Sequence, residues 1–435
     1  MTSQATGRSG TPRPLLFTGV THTMTNGTGY KVIIGGVLAA GLAAGAQAQD
    51  GFTEQFSKAV SEGNIKLDLR YRFENVDDDA FDKDANASTL RTRVTVQSGM
   101  VGAFSALAEF DNVSEIGSDD YNSTANGNTD RPVVADPKGT DINQAWLRYG
   151  QQDAYGAYGR QRILHGSERF IGGVGWRQNE QTYDGFRLFY KGGSGLTLDY
   201  AYVYNVNRIF GPDDSAAQPA DLHGENHFAR ADYRFAENHT LSGFIYALDI
   251  DDNGDYAPGK SVGNSSDTYG VKYDGKFGPV GLKAAYAKQS DAGDNPQDYD
   301  ADYYMVEAAL GFSGLNASVG YEVLGSDNDV GFKTPYATLH KFQGWADKFL
   351  VTPGDGIEDM YLGVTGKLGP VKLGAFYHDF AADDTSEDYG SEWDLVGTWP
   401  INKQFSTQLK YANFSADSDR FSDTQKIWVT LQLKL

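Results

Sequence analysis

The chain has 435 residues, no cysteine and a formal net charge of −21 at pH 7. This acidity argues against a nucleic-acid partner, and without cysteine no disulfide can hold the fold together. The mean hydropathy of −0.47 excludes a protein built from many transmembrane helices. The length would suggest two or three soluble domains, whereas 52 glycines and 26 tyrosines are typical of alternating strands and aromatic girdles in one large barrel.

Near the N-terminus, one long apolar run extends from Val32 to Ala46, follows Lys31 and ends in the small-residue motif Ala46-Gln47-Ala48. It is too short to cross a bilayer, which takes roughly 20 residues. A buried core helix is the alternative, but the glycines within the run weaken it. We therefore interpret residues 1–48 as a leader whose signal peptide is cleaved after Ala48, with Met24 as a candidate for the true start.

Residues 49–63 are expected to form a short periplasmic segment after the cleavage site. Phe52, Phe56 and Val60 recur every four residues, and this spacing predicts a short amphipathic helix over residues 51–62.

From Asn64 to the C-terminus, apolar and polar residues alternate in runs about as long as the 9–11 residues of a tilted transmembrane strand. The first clear run is Lys66–Phe73 and the last is Lys426–Leu435. Short turns such as Gly278-Pro279 alternate with long loops such as Asp111–Gly139. Barrels of the bacterial outer membrane have this asymmetry, with short periplasmic turns and long extracellular loops.

We therefore predict an all-β fold, a transmembrane antiparallel β-barrel of about 18 strands over residues 64–435 in the cell outer membrane. The apolar last strand would be an aggregation hazard in a soluble fold, and in a barrel it can close against the first strand. A barrel of this size has an aqueous lumen rather than a packed core.

Acidic residues cluster in the long loops, as at Asp119-Asp120 and Asp213-Asp214. We expect this charge to face solvent, with weak binding of divalent cations beside anionic lipid headgroups as the functional alternative. The segment Asp249–Gly254 imitates the start of an EF-hand loop, but Lys260 stands where a bidentate Glu is required, so we interpret it as a turn. We predict no dedicated cofactor and no metal site.

Arginines concentrate between Arg70 and Arg234, mostly on the polar faces of strands, and neighbouring strands should bring them together on one side of the lumen. Because guanidinium groups bind carboxylates bidentately, we predict that they line the pore and bind anions. This predicted arginine wall comprises Arg70, Arg72, Arg91, Arg93, Arg148, Arg160, Arg162, Arg169, Arg177, Arg187, Arg230 and Arg234. The alternative is a self-neutralised lumen, in which acids on the same faces, such as Asp68, Glu74 and Asp199, pair with the arginines.

A catalytic site is not predicted. His165 is the one histidine near both a serine and an acid in sequence, Ser167 and Glu168. A base and a nucleophile two residues apart on a flexible loop have no fixed geometry, and no third group can be named to orient them.

Four short elements follow one another along the chain: Thr89–Arg93, Gly159–Gln161, Arg169–Gln178 with Asp184, and His340–Leu350. In their order and spacing they resemble the alginate-export family of outer-membrane porins, over the whole mature chain. The resemblance implies a monomeric eighteen-stranded barrel with an arginine-rich, anion-selective lumen. It does not imply that alginate is the substrate.

The function we favour is that of a passive channel for small acidic solutes such as uronates or oligouronates, embedded in outer-membrane lipid and lipopolysaccharide. An export conduit for an acidic exopolysaccharide and a structural or adhesion barrel with a blocked lumen are the alternatives. The sequence does not distinguish uptake from export.

Two loops, Ile163–Gln181 and Gly325–Glu358, are too long for simple connections and carry many apolar residues. We expect both to fold inward and narrow the pore, with Arg169 and Arg177 presented to the solute. The spacing of Leu339, Phe342, Ala346 and Phe349 predicts a short helix in the second loop. The alternative is that this helix caps the barrel from outside.

Overall fold

The computed structural model describes residues 49–215, 217–252 and 261–435. The predicted leader, with Met24 and the cleavage site, lies outside these residues, and so do residues 253–260 of the EF-hand-like segment. A helix, α1, spans Gln49–Ser61 where the sequence predicts one, and the Ala59 carbonyl accepts a hydrogen bond from the Gly99 amide at 2.8 Å. Among the described residues, no helix is long and apolar enough to cross a membrane.

Eighteen strands form one antiparallel sheet in which each strand pairs with its neighbours in sequence. These strands are β1 (Asn64–Asp78), β2 (Ala85–Gln97), β3 (Phe104–Asp120), β4 (Gly139–Gln151), β5 (Ala154–Gln161), β6 (Thr182–Lys191), β7 (Leu196–Asn207), β8 (Asp221–Ala236), β9 (His239–Ile250), β10 (Ser266–Phe277), β11 (Val280–Asp291), β12 (Asp300–Phe312), β13 (Leu315–Leu324), β16 (Ile357–Leu368), β17 (Val371–Ala381), β18 (Asp388–Pro400), β19 (Phe405–Ala416) and β20 (Thr424–Lys434). Two short strands, β14 (Ser326–Asp327) and β15 (Val330–Gly331), form a small hairpin between β13 and β16. The predicted strand number is confirmed.

The sheet closes on itself because β20 pairs with β1. The Leu67 amide donates to the Leu435 carbonyl at 3.0 Å, and the Leu435 amide donates back to Leu67 at 2.8 Å. This closure, which the alternating C-terminal run predicts, leaves the described sheet without a free edge that could recruit another chain.

The connections differ sharply between the two ends of the barrel. At one end they are short, as at 152–153, 278–279 and 369–370, and at the other end they extend to 162–181 and 325–356. The short-turn end is the periplasmic end of an outer-membrane barrel, and the long loops are extracellular.

Side chains alternate between a membrane face and a lumenal face. Exposed aromatic side chains form two girdles on the membrane face, as expected where amphipathic rings meet the membrane–water interfaces. The periplasmic girdle includes Phe104, Tyr149, Tyr190, Tyr233, Phe277 and Trp399, and the outer girdle includes Tyr204, Tyr269, Tyr286, Tyr304, Tyr321 and Trp393.

The cysteine-free chain offers a direct test of orientation. Single-cysteine variants Ala125→Cys and Asp213→Cys, in outer loops, should react with a membrane-impermeant maleimide on intact cells. The variant Ser194→Cys, in the turn between β6 and β7, should react only after the outer membrane is permeabilised. Labelling of Ser194→Cys on intact cells would mean that the orientation is inverted.

Candidate functional site in the barrel lumen

The two longest connections fold into the barrel, as expected from their apolar side chains. We call residues 162–181 the first lumenal loop and residues 325–356 the second. Ile171 of the first loop and Phe332 of the second are 1% and 0% exposed, in one apolar cluster with Phe228 and Tyr246 of the wall. Since an unfilled barrel of this size would hydrate those side chains, the extracellular half of the lumen is packed by the loops.

Aromatic rings fix both loops against the wall. The ring of Phe170 lies 5.0 Å from that of Phe244 and 5.2 Å from that of Tyr303. In the second loop, the ring of Phe349 lies 4.7 Å from that of Phe380. Such pairs add about 0.5–1.5 kcal/mol each beyond the area they bury, so the loops are held by many small contributions.

The loops also bind each other. The Gly172 amide donates to the Tyr336 carbonyl at 2.8 Å, and the Thr338 amide donates to the Glu168 carbonyl at 3.0 Å. The Thr338 hydroxyl accepts from the Val174 amide at 3.0 Å. The two loops therefore form one inserted layer.

The helix predicted in the second loop is wrong. Only a single turn of 3₁₀ helix forms, at Leu339–Lys341. Gln343, Gly344 and Asp347 have φ angles of +49°, +74° and +60°, and a right-handed helix cannot pass through such left-handed residues. The three- and four-residue spacing of the apolar side chains instead reflects an irregular loop that turns repeatedly toward the wall.

Arg169 and Arg177 are not presented to a solute, contrary to our expectation. They are 3% and 6% exposed. Arg169 Nε donates to Glu322 at 2.9 Å, and Arg177 Nη1 donates to Glu74 at 3.0 Å. Both arginines join the first loop to the wall by buried ion pairs.

Most of the arginine wall is neutralised by neighbouring acids. Arg93 Nη1 lies 2.8 Å from Glu180, and Arg93 Nε donates to Asp111 at 2.7 Å. Arg162 donates to Glu180 and to Glu109. Burial alone would raise the pKa of Glu180, but hydrogen bonds from Arg162 and the charge of Arg93 lower that pKa to about 2.

Three further arginines of the wall have one acidic partner each, as the self-neutralised alternative expects. The shortest nitrogen–oxygen separations are 3.2 Å for Arg91–Asp68, 2.5 Å for Arg187–Asp199 and 2.6 Å for Arg230–Asp232.

Arg70 and Arg72 hold the backbone and the indole of the first loop. Arg70 donates to Gln178 Oε1 and to the Gly175 carbonyl, both at 2.9 Å. The guanidinium of Arg72 lies 4.0 Å above the Trp176 ring. The side chains of Arg70 and Arg72 are 7% and 2% exposed. These arginines therefore stabilise the inserted position of the loop.

Arg160 lies on the membrane face of β5 and does not line the lumen, contrary to our prediction. It shares a strand face with Tyr158, whose exposed ring packs 4.5 Å from that of Phe186. Its guanidinium donates to Asp184 at 2.9 Å. Gln161, which follows Arg160, and its partner Tyr183 turn inward and are buried, because neighbouring residues of a strand alternate between faces.

On the lumenal faces of the described strands, the exposed cations lie at the periplasmic end. Lysines near the short turns occupy lumenal positions, and Lys367 stands directly opposite Lys372 in the β16–β17 ladder. We call this half of the lumen the periplasmic vestibule. Its exposed inward cations include Lys66, Arg234, Lys276, Lys283, Lys367, Lys372 and Lys434. Strand alternation within a few residues of each short turn is the sequence signal that could have identified them.

Asp347 is the electrostatic centre of the second loop. His340 Nδ1 lies 2.7 Å from its carboxylate, Lys426 Nζ 2.9 Å and Arg177 Nη2 3.4 Å. Burial lowers the pKa of His340 to about 3 despite the nearby carboxylate. A neutral His340 donates from Nδ1 to Asp347 and accepts at Nε2 from Lys410, whose Nζ lies 2.6 Å away.

His165 does not form a catalytic arrangement. Its ring is buried, with Nδ1 3.2 Å from the Tyr246 hydroxyl and Nε2 3.4 Å from Asp199, whereas Ser167 is exposed. The histidine therefore ties the first lumenal loop to β7 and β9.

Comparisons with solved structures give the same fold. Acinetobacter baumannii OccAB4 matches with a TM-score of 0.64 and 14% identity over 86% of this chain and 98% of that chain. Pseudomonas aeruginosa OccK3 (OpdO) matches with 0.64 and 14% over 88% and 98%, and Acinetobacter baumannii OccAB2 with 0.67 and 12% over 87% and 99%. At such low identity the likeness shows the fold alone.

None of the curated proteins compared with the chain is significantly similar to it in sequence. A family model described as alginate export matches residues 61–325. This match covers β1 to β13, with the first lumenal loop and most of the arginines. It agrees with the resemblance of the first three short sequence elements, whereas the fourth, His340–Leu350, lies outside the matched residues. The chain is thus a porin-like barrel of the outer membrane and belongs to the alginate export family.

Proposed function

We propose that the protein is a passive channel that favours anions and admits small acidic solutes such as uronates or oligouronates. The observation that carries the proposal is the periplasmic vestibule. Lys367 and Lys372 face each other across one ladder and are both exposed. Like charges placed directly opposite each other destabilise a sheet. The stability of the fold therefore does not explain this pair of lysines, whereas attraction of anions into the lumen does.

The selectivity filter then lies in the periplasmic vestibule, away from most of the arginine wall. An arginine that already shares a carboxylate, such as Arg93 or Arg187, attracts a passing anion weakly. In the vestibule, Lys283 pairs with Glu307 at 2.7 Å and Lys434 lies 3.9 Å from Asp68. Lys276, Lys367 and Lys372 form no ion pair within the described residues, and unpaired charges of one sign raise the local concentration of counter-ions. Added salt should reduce the preference, because the Debye length is about 10 Å at 0.1 M.

An export conduit for an acidic polysaccharide is the second candidate. The vestibule opens to the periplasm, the side from which an exported chain would enter. Passage of a polymer would also require both lumenal loops to leave the extracellular half of the lumen. A barrel blocked at rest is the third candidate, favoured by the same packing, and measurable conductance in a bilayer would exclude it.

Reversal potentials in a salt gradient test the selectivity. Replacement of Lys276, Lys367 and Lys372 by Gln should shift the reversal potential toward cation preference, because it removes three exposed lumenal charges. The matched triple replacement by Arg keeps the charges and should leave the potential unchanged. An unaltered anion preference in the Gln variant would show that the vestibule is not the filter.

We further propose that the mature chain begins after Ala48 and works as a monomer surrounded by lipid and lipopolysaccharide. The acid-rich outer loops would lie at the level of the lipopolysaccharide headgroups, where weakly bound divalent cations can bridge them to anionic groups. Mass determination of the purified protein tests the cleavage site directly.

A further inference from the structure

Arg148 differs from the other inward arginines near it. Within the described residues it forms no ion pair, and its Nε atom is buried without a hydrogen-bond partner. Its guanidinium is nevertheless fixed, because it lies 3.9 Å from the centre of the Tyr155 ring and 4.5 Å from that of Trp146. A cation held in place by ring faces keeps the edges of its planar fork free to donate hydrogen bonds.

The register of the strands leaves space around this guanidinium. Ser105 and Ala157 are the residues directly opposite Arg148 on β3 and β5. Both are small, so neither covers the fork. The next residue along the same row is Arg187, whose charge is balanced by Asp199. Because Nε is buried, the groups of Arg148 that can reach a solute in the lumen are its two Nη groups, which donate to no residue of the described chain.

An aromatic surface lies beside the free fork. Tyr155 pairs with Phe189 across β5 and β6, and their rings stack 5.2 Å apart at an interplanar angle of 22°. These side chains are partly exposed. Ligand sites commonly combine such aromatic faces with a small number of placed polar groups.

We propose that Trp146, Arg148, Tyr155 and Phe189 form a subsite for one unit of an acidic sugar. The carboxylate of the sugar accepts a bidentate pair of hydrogen bonds from Arg148. One face of the pyranose ring, which carries C–H groups, packs against the rings of Tyr155 and Phe189. The inference rests on the proposed function and adds to it a binding position on the lumenal face of the β4–β6 wall.

Current block of single channels by added saccharides tests the subsite. Trigalacturonate is the probe, and maltotriose is its neutral counterpart with rings but no carboxylates. In the wild-type protein, trigalacturonate should block for longer than maltotriose. Arg148→Gln should shorten the trigalacturonate block about tenfold, as expected for loss of a charge-assisted hydrogen bond, and should leave the maltotriose block unchanged.

Further variants separate charge, geometry and stacking. Arg148→Lys keeps the charge but loses the planar fork, so it should also shorten the trigalacturonate block. If Arg148→Gln does not assemble into the membrane, Arg148→Lys is the variant that tests the subsite. Phe189→Leu should shorten the block by both saccharides. Lys403→Gln removes a cation from the exposed turn between β18 and β19 and should change neither.

The failures of the two proposals are distinguishable. If Arg148→Gln and the wild type are blocked equally by trigalacturonate while the reversal potential still shows anion preference, the subsite is wrong and the proposed function stands. Equal block of the wild type by maltotriose and trigalacturonate would also overturn the subsite. A wild-type channel that is neither blocked nor anion-selective would overturn both.

Discussion

Deletion of Gly166–Gly175 is expected to raise the single-channel conductance severalfold while the barrel stays folded. The segment carries Arg169 and Phe170, which insert between the wall and the second lumenal loop. Its removal opens the packed extracellular half of the lumen to water. The ladders of the eighteen strands do not depend on it, so the protein should remain heat-modifiable on a gel.

The matched control for this deletion is the removal of residues 125–127, which are exposed at the tip of the loop between β3 and β4. That variant should conduct like the wild type. A folded Gly166–Gly175 deletion with wild-type conductance would show that the first lumenal loop does not limit the current. The constriction would then have to lie among the side chains of the wall.

The second large effect is expected from Asp347→Asn. Asp347 is buried among His340, Lys426 and Arg177. Loss of one member of a buried charge cluster leaves the remaining charges uncompensated, which costs about 3–5 kcal/mol. If this free energy destabilises the docked state of the second lumenal loop relative to the detached state, the population of channels with a detached loop rises more than about a hundredfold. Open-channel current noise and sensitivity to added protease should both increase.

Asp329→Asn is a close control for this change. Asp329 belongs to the same loop and has the same φ of +60° as Asp347, but its side chain is exposed. Asparagine tolerates this left-handed conformation at both positions, so the effect of the replacement on the backbone is the same in the two variants. Equal current noise in the two variants would mean that the buried charges do not hold the loop.

The barrel could be predicted from the sequence because strand alternation and turn length are local properties. The partners of the arginines could not be predicted, since they come from distant parts of the chain. Arg177 pairs with Glu74 across 103 residues, and Arg169 pairs with Glu322 across 153. Whether a lumenal arginine faces water or a carboxylate depends on how the loops insert, and alternation carries no information about that.

Two errors have simpler physical causes. Arg160 shares its face with Tyr158, and the aromatic residue on the membrane side decides the direction of both. The apolar residues of the second lumenal loop have helical spacing, but left-handed residues interrupt it. Among residues 339–349, Gly344 is the only glycine, the residue type that signals such a break in a sequence. The exposed lumenal positions of Lys367 and Lys372 can be predicted from strand alternation, because both residues flank the Gly369-Pro370 turn.

The hydrogen bonds between Leu67 and Leu435 have a consequence for the architecture as a whole. Every strand of the barrel pairs only with its neighbours in sequence, and the first strand pairs with the last, so the ring of strands has no first member. A circular permutant that joins Leu435 to Asn64 through a short linker and starts at Val280 would contain the same set of ladders. The order of synthesis would change, but the closed cylinder would not.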